Sequence, residues 1–346
     1  MMKNATLARW AATVDGRLGP LTAVVDDFTA RTGVTVDLTG TLFQRAELAG
    51  YPPPGRTSAG SSCHLLATAD GWAALNLARP DDHAALPALL GLLGAPQAGL
   101  RTAARRAPTA ELCGAAQLLG IASAARGSAL GPGRGGRAPV RAERHGQPGP
   151  RAVAGLAGLN VVDLSALWAG PLCARLLGLA GARVVKVESD TRPDGARFGP
   201  PDFYRRLHEG HRSLVLDFAS GALAEAIADA DLVVEASRPR ALRRLGVRAE
   251  EFLAARPGRV WVSITGYGRD DDRIAFGDDA AVAGALTGLD GHGDPVFLGD
   301  ALADPVTGLY AAHAVARSLE RGGGELLCVS MAACAAAQAE ATGTTC

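Results

Sequence analysis

Short apolar runs alternate with helical patterns through the second half of the chain, and this alternation limits the fold more than any other feature. Six runs are predicted as strands: residues 159–164, 183–187, 213–218, 231–235, 259–265 and 325–330. The runs are continuously apolar, which is typical of strands in a parallel sheet that is covered on both faces. The sequence therefore predicts an α/β fold, with a doubly wound, mostly parallel, Rossmann-like sheet forming a large domain over residues 155–346.

The first two predicted strands enclose a helix, predicted over 171–179, and the three elements form a βαβ unit. Pro171 stands where the first turn of a helix tolerates proline, and Gly181 follows where a left-handed residue is favoured. The turn before this helix lacks the GxGxxG pattern of nicotinamide and flavin sites, and the chain has no P-loop, GxSxG or HExxH motif. These observations argue against dehydrogenases, nucleotide hydrolases, esterases and zinc proteases in their usual forms.

A smaller α+β domain is predicted for residues 1–125. Two apolar runs over 65–77 meet at an Asp-Gly pair, which is a strong hairpin signal. Helices are predicted over 83–93, after two capping aspartates, and over 109–119. Residues 126–154 are rich in Gly, Pro and Arg and have no apolar periodicity, so they are interpreted as a solvated linker between the two domains.

The composition excludes several classes of partner. The chain has 35 basic and 35 acidic side chains and a formal net charge of zero, so no overall field attracts nucleic acid or an anionic membrane. No apolar run is long enough for a membrane span, and the N-terminus lacks the apolar core of a signal peptide. The six cysteines are scattered, and Cys63 with His64 lacks a third ligand. We expect a cytoplasmic protein with small-molecule substrates, free thiols and no metal.

Five segments of the second half carry a more specific signal. They are VVDLSALWAGPLCARLLGLAGARVVKVES at 161–189, HRSLVLDF at 211–218, DLVVEASRPRALRRLGV at 231–247, RPGRVWVSITGYGR at 256–269 and LADPVTGLYAAHAVARSLERGGGELLCVSM at 302–331. In this order they resemble the successive blocks of the family III CoA-transferases, which include formyl-CoA transferase, the carnitine CoA-transferases and the alpha-methylacyl-CoA racemases. Five blocks in the same order are far more specific than any one of them.

The resemblance implies a CoA-transferase that acts on an acyl-CoA and a carboxylic acid acceptor, with Asp304 as nucleophile. Asp304 aligns with the catalytic aspartate of the family, four positions before Gly308, and the implied reaction passes through an aspartyl anhydride and an aspartyl-CoA thioester. Taken alone, Asp304 followed by Pro305 is also typical of a helix N-cap with proline at the first helical position. The helix dipole would then keep the carboxylate ionised near neutral pH.

The resemblance also implies a set of CoA-binding residues near the ends of the predicted strands: Leu167, Trp168, Ala169, Arg197, Arg212, Arg238 and Tyr267. A guanidinium that closes a strand at the ligand edge of the sheet can form a two-pronged contact with a phosphate, which favours Arg238. Without the surrounding blocks, Arg238 would be interpreted as a surface loop residue. Tyr267 is expected at the thioester end of the site.

Two other functions fit the same residues. A racemase or isomerase would pair Asp304 with Asp278, although racemases of the family carry histidine at that position. His313 lies inside the following helix and is expected to be packed or solvated. A non-catalytic CoA-binding subunit is the third hypothesis, because residues 68–91 resemble the small domain that normally follows the large one, so the chain is expected to be rearranged and shortened. A homodimer is expected, and interlocking of its subunits is a hypothesis.

Overall fold

The computed structural model describes residues 14, 16–130, 138–149 and 156–341. Its strands, in chain order, are β1 (Cys63–Ala67), β2 (Trp72–Asn76), β3 (Ala122–Ala125), β4 (Val140–Arg144), β5 (Asn160–Asp163), β6 (Arg183–Ser189), β7 (Arg212–Leu216), β8 (Leu232–Glu235), β9 (Val260–Thr265), β10 (Thr287–Leu289), β11 (Pro295–Phe297) and β12 (Glu325–Ser330). Its α-helices are α1 (Gly19–Thr32), α2 (Leu38–Ala49), α3 (Pro80–Ala84), α4 (Leu86–Leu92), α5 (Leu100–Arg106), α6 (Thr109–Leu118), α7 (Ala169–Leu179), α8 (Pro201–Leu207), α9 (Ala222–Ala228), α10 (Pro239–Arg244), α11 (Ala249–Ala255), α12 (Gly277–Ala283), α13 (Ala303–Glu320) and α14 (Met331–Ala341).

A seven-stranded sheet lies at the centre of the molecule, with the strand order β4-β12-β9-β8-β5-β6-β7. β4 is antiparallel to β12, and all the other neighbours are parallel. This arrangement confirms the predicted α/β fold class and the six predicted strands. Every residue of β8, β9 and β12 is buried, because helices pack on both faces of the sheet. Burial on both faces explains why these strands are continuously apolar.

The first turns of helices α7 and α13 lie side by side. α7 follows β5 and α13 precedes β12, so both begin at the carboxyl edge of the parallel strands. The two helices approach closely at Gly308, where an added Cβ would stand 2.7 Å from the carbonyl oxygen of Ala169. Asp304 lies one helical turn before Gly308 on the same face, and therefore close to the start of α7.

The region predicted as a linker contains a strand. Val140–Arg144 pairs antiparallel with β12 and forms one edge of the large sheet. Within it Val140 and Glu143 are partly buried while Arg141 and Arg144 are exposed. A short edge strand with charged side chains gives little apolar signal, and the linker prediction was wrong at these residues for that reason. Residues 131–137 and 150–155 of the same region lie outside the described part of the chain.

A three-stranded antiparallel sheet, β1-β2-β3, lies with helices α3 to α6 within the region predicted as a small domain. The hairpin between β1 and β2 is confirmed, and the Asp70 carboxylate in its turn accepts a hydrogen bond of 2.7 Å from the backbone N–H of Thr109. The helix predicted over 83–93 is divided into α3 and α4. Pro87 has no backbone N–H to continue the first helix, so the single-helix prediction was wrong.

Helices α1 and α2 pack with the large sheet rather than with the small one. Leu21, Phe28 and Phe43 share one core with residues of α7 and α13. The sequence analysis placed these two helices in the predicted domain 1–125, whereas their apolar sides lie against the helix layer of the large unit. None of the helices in the described ranges has the length and apolar character needed to cross a bilayer.

Candidate active site

Four aspartates from two helices and one loop come together at the carboxyl edge of the sheet. Asp278 and Asp279 lie in the first turn of α12, Asp300 in the loop before α13, and Asp304 in the first turn of α13. The first three are buried and Asp304 is partly exposed. We call these four residues the acidic cluster. So many carboxyl groups at one site cannot all be ionised without a compensating cation.

The compensating cation is Arg45 of α2. Its guanidinium binds the fully buried carboxylate of Asp300 in a two-pronged pair, with Nε–Oδ2 and Nη2–Oδ1 distances of 2.6 and 2.5 Å. The Arg45 Cζ atom also lies 5.3 Å from the centre of the Trp168 ring, within the range of a cation–π contact. Asp300 is 255 positions away in the chain, which is why sequence analysis missed this pair.

Backbone and side-chain donors hold the other two buried carboxylates. The N–H of Ala301 donates to Asp278 Oδ1 at 2.8 Å, and the Ser58 hydroxyl also hydrogen-bonds to Asp278. Asp279 Oδ1 accepts from the Asn76 amide and from the N–H of Phe276, both at 3.0 Å. Ser58 precedes β1 and Asn76 ends β2, so the smaller antiparallel sheet and the loop before it contribute to the site together with the helices around the large sheet.

Asp304 is the second residue of α13 and not its N-cap. The N-cap is Leu302, whose φ of −57° and ψ of −29° are already helical. The N-cap prediction was therefore wrong, because the preceding loop enters the helix two residues earlier. Opposite Asp304, α12 has a glycine at its first position: a Cβ on Gly277 would lie 2.4 Å from Asp304 Oδ2 and 2.4 Å from the Ala301 carbonyl oxygen. The absence of a side chain at Gly277 leaves the space that the Asp304 carboxylate occupies.

The surroundings raise the pKa of Asp304 to about 7. Removal from water is the main cause; Arg45 opposes it, and the neighbouring carboxylates of the acidic cluster raise the pKa further. The pKa values of Asp278 and Asp279 are also raised to about 7, again mainly by burial. A rise from 3.8 to about 7 corresponds to about 4 kcal/mol, which exceeds the ~0.3–1 kcal/mol that a helix dipole supplies. With a pKa of about 7, Asp304 is expected to be only partly ionised at neutral pH, in contrast to the expectation that the helix dipole keeps it ionised.

Three of the predicted CoA-binding residues lie in the turn between β5 and α7. Leu167 is partly exposed, has a left-handed φ of 71° and donates its N–H to Asp194 Oδ1 at 2.9 Å. Trp168 is completely buried and packs edge-to-face on Phe203, with ring centres 5.0 Å apart. Ala169 is also buried. Of these three residues, Leu167 is therefore the one with surface to offer a ligand, while Trp168 lies beneath Arg45.

A buried lysine supports this turn. Lys186 of β6 lies 3.0 Å from Asp194 Oδ2 and 3.8 Å from Asp163 Oδ2, and it donates a hydrogen bond to the carbonyl oxygen of Ser165. Asp194 in turn accepts from the N–H groups of Leu167 and Ala196. The left-handed conformation of Leu167 is thus held by a fully buried ion-pair network.

The other predicted CoA-binding residues are dispersed. Arg238 is exposed directly before α10, at the carboxyl end of β8, as expected. Arg197 is exposed and forms an ion pair with Glu188, with an Nη2–Oε2 distance of 2.6 Å. Arg212 begins β7, so it lies at the amino end of a parallel strand, away from the edge that holds the acidic cluster. The structure does not bring Arg212 to the site.

Tyr267 is buried rather than open to a ligand. Its hydroxyl donates to the carbonyl oxygen of Ser123 in the smaller unit at 3.4 Å, and Arg273 stacks on its ring at 3.7 Å. His313 is partly buried and pairs with Asp27 of α1 at 2.6 Å. Within the described ranges, no group of His, Cys, Asp and Glu side chains has the geometry to hold a metal ion.

Comparisons with known proteins point to one family. The model of CoA-transferase family III matches residues 156–345. Succinyl-CoA:glutarate CoA-transferase from Homo sapiens is 32% identical over 213 residues, covering 57% of this chain and 48% of that protein. The beta subunit of succinyl-CoA–L-malate CoA-transferase from Chloroflexus aurantiacus is 35% identical over 181 residues, covering 47% and 45%. Formyl-CoA:oxalate CoA-transferase from Bradyrhizobium sp. is 29% identical over 179 residues, covering 47% and 42%.

The chain spans about half the length of the curated relatives that it matches. Among solved structures, a CaiB/BaiF family protein from Brucella suis aligns with a TM-score of 0.48 at 29% identity, covering 55% of each chain.

Proposed function

The chain belongs to CoA-transferase family III, and from this premise we propose that it transfers CoA from an acyl-CoA to a carboxylic acid, with Asp304 as the nucleophile. The observation that supports the proposal is the position of Asp304. Its carboxyl group lies at the carboxyl edge of the parallel sheet, in a space left by Gly277, with a pKa of about 7. A pKa near the working pH combines a sizeable ionised fraction with good reactivity of the ionised form.

The proposed reaction proceeds through covalent intermediates on Asp304. The carboxylate attacks the thioester carbonyl, the carbon–sulfur bond breaks, and CoA leaves as a thiolate, so that a mixed anhydride forms. The thiolate then attacks the Asp304 carbonyl, which releases the donor acid and gives an aspartyl-CoA thioester. The acceptor carboxylate attacks the carbonyl of this thioester, the carbon–sulfur bond breaks, CoA leaves again as a thiolate, and a second anhydride forms. Attack of the thiolate on the acceptor carbonyl gives the new acyl-CoA and regenerates the Asp304 carboxylate.

CoA binding is proposed at the carboxyl edge of the sheet. Arg238 offers an exposed guanidinium for a phosphate, and the Leu167 turn offers a partly exposed apolar surface. Several relatives are named for succinyl-CoA with a dicarboxylic acid, so succinyl-CoA and glutarate are suitable first substrates. The proposal also includes a homodimer, which the family resemblance implies, and a cytoplasmic location, which is expected from the sequence pattern.

The test combines turnover with trapping of the intermediate. The purified chain is incubated with succinyl-CoA and glutarate, and glutaryl-CoA is measured by mass spectrometry. Hydroxylamine is added during turnover, and we expect a hydroxamate on the peptide that contains Asp304. Asp304→Asn should show neither product nor hydroxamate, whereas Asp26→Asn, an exposed aspartate of α1, should retain both. Turnover by Asp304→Asn, or CoA binding by the wild-type chain without any labelling, contradicts the proposal; the second result favours a CoA-binding subunit.

A second candidate function is an acyl-CoA isomerase or racemase. It is favoured by one observation: Asp278 and Asp304 are neighbours and both have pKa values of about 7. At neutral pH such a pair can hold one acid and one base, as proton transfer at an α-carbon requires. Incubation of a 2-methylacyl-CoA in D2O separates the two functions. An isomerase incorporates deuterium at the α-carbon, and the incorporation depends on Asp278, whereas the transferase needs no such exchange.

A further inference from the structure

We call residues 156–345, which match the family model, the family-like segment. An arginine that precedes this segment reaches the acidic cluster. Arg45 lies on α2, more than 100 positions before residue 156, where the match to the family begins. We propose that Arg45 is a positioning residue for Asp304, which fixes the loop before α13 and provides the positive charge against which the acidic cluster is balanced. The inference rests on the proposed function of Asp304 and deepens it, because it assigns part of the site to the helices that precede the family-like segment.

Residues 299–302, the loop before α13, are held in place from two sides. α2 contacts this loop twice: Arg45 binds Asp300, and the Phe43 ring lies 3.4 Å from where a Cβ of Gly299 would stand. On the other side, α12 holds the loop through the hydrogen bond from the Ala301 N–H to Asp278. The Asp304 N–H in turn donates to the Ala301 carbonyl oxygen at 2.9 Å. The loop is therefore clamped between α2 and α12, and Asp304 follows directly from the clamped segment.

Within the described residues, the charged groups that most affect the pKa of Asp304 are Arg45 from α2, Asp278 and Asp279 from α12, and Asp300 from the loop. Where α7 packs against α13 at Gly308, the nearest atoms of α7 are the Ala169 carbonyl oxygen and the uncharged Leu172 side chain. A guanidinium stays protonated at every accessible pH, so its charge is constant while the carboxyl groups titrate. Removal of Arg45 would leave Asp300 buried without its partner and would make ionisation of Asp304 harder.

The test is the pH dependence of kcat/KM for CoA transfer from succinyl-CoA to glutarate. Arg45→Met should move the acid limb of the profile upward by about one pH unit or more, the usual effect of losing one close opposite charge. At a pH below the wild-type midpoint this shift lowers kcat/KM by about tenfold. The double variant Arg45→Met, Asp300→Asn removes both charges and should return the limb toward the wild-type position, since the pair contributes no net charge in either form.

A matched control is Arg31→Met. Arg31 forms a two-pronged pair with Asp27 inside α1, at 2.8 and 3.0 Å, and does not face the acidic cluster. Its loss should leave the acid limb unchanged. A uniform fall of kcat/KM at all pH values in Arg45→Met, without rescue in the double variant, would mean that Arg45 only supports folding. If Asp304→Asn is inactive and Arg45→Met keeps the wild-type midpoint, this inference fails alone; if Asp304→Asn is active, the proposed function fails.

Discussion

Replacement of Gly277 by alanine tests whether the space opposite Asp304 is part of the active site. The added Cβ would stand 2.4 Å from Asp304 Oδ2 and 2.4 Å from the carbonyl oxygen of Ala301. Carbon–oxygen contacts normally settle at about 3.3–3.6 Å, so about 1 Å has to be made up. The contact with the Ala301 carbonyl oxygen pushes on that backbone as well, and because the Asp304 N–H donates to the same oxygen, both contacts displace the Asp304 carboxylate. A displacement of about 1 Å at a reacting group costs about 100-fold in rate.

The assay is kcat/KM for CoA transfer, with urea unfolding measured on the same preparations. We expect Gly277→Ala to lose about 100-fold in kcat/KM and about 1–3 kcal/mol of unfolding free energy, as overpacked sites do. The control is Gly114→Ala in α6, where an added Cβ meets no atom within 4 Å. It should keep wild-type kinetics and gain up to about 1 kcal/mol, because alanine is the better helix former. Wild-type kcat/KM in Gly277→Ala would refute the placement of the reacting carboxylate.

Two further predictions concern CoA binding and pH. Arg238→Ala should raise KM for the acyl-CoA by about tenfold through loss of a phosphate contact, whereas Arg212→Ala, at the opposite edge of the sheet, should leave KM unchanged; equal effects would contradict the assignment. The pKa of Asp279 is about 7 in the folded state and 3.8 for a free aspartate. Between these two pH values the folded state binds a proton that the unfolded state does not bind. Asp279 therefore makes the free energy of unfolding fall as the pH rises. Asp279→Asn should flatten that fall, as measured by urea unfolding at pH 5 and pH 8, and an unchanged slope would contradict the assignment.

The strands of the large sheet could be predicted because burial on both faces leaves a continuous apolar run in the sequence. β12 illustrates this: all six residues of Glu325–Ser330 are buried, and the predicted limits match the observed ones. β4 shows the converse case. It pairs with β12 along its whole length, but at the sheet edge its arginines stay exposed, so its sequence resembles a polar connection. A strand that pairs without being buried has no apolar pattern to detect.

Part of the candidate site could likewise be predicted from residues close together in the sequence, and part could not. The spacing of Asp304 and Gly308 is local, and the structure gives it a reason: one turn after the carboxylate, a glycine lets α7 and α13 approach. Arg45 carries no local signal, because a single arginine on a helix is ordinarily solvated. Its partner Asp300 likewise has no local signal in the sequence. The pairing depends on how α2 packs against the helices on the large sheet.

The two helices before the small sheet explain how a buried acidic cluster is tolerated at all. Burial raises the pKa values of Asp278, Asp279 and Asp304, and the dipole at the start of α13 is too weak to reverse this for Asp304. The Arg45 guanidinium is the opposing influence, and it is attached to α2, whose Phe43 belongs to the same core as Leu309 of α13. When α2 packs against the core, it also places the Arg45 charge beside the acidic cluster. A displaced α2 would therefore expose the core and favour the protonated, non-nucleophilic form of Asp304. In this chain the ionisation of the proposed nucleophile is coupled to the docking of a helix that lies outside the family-like segment.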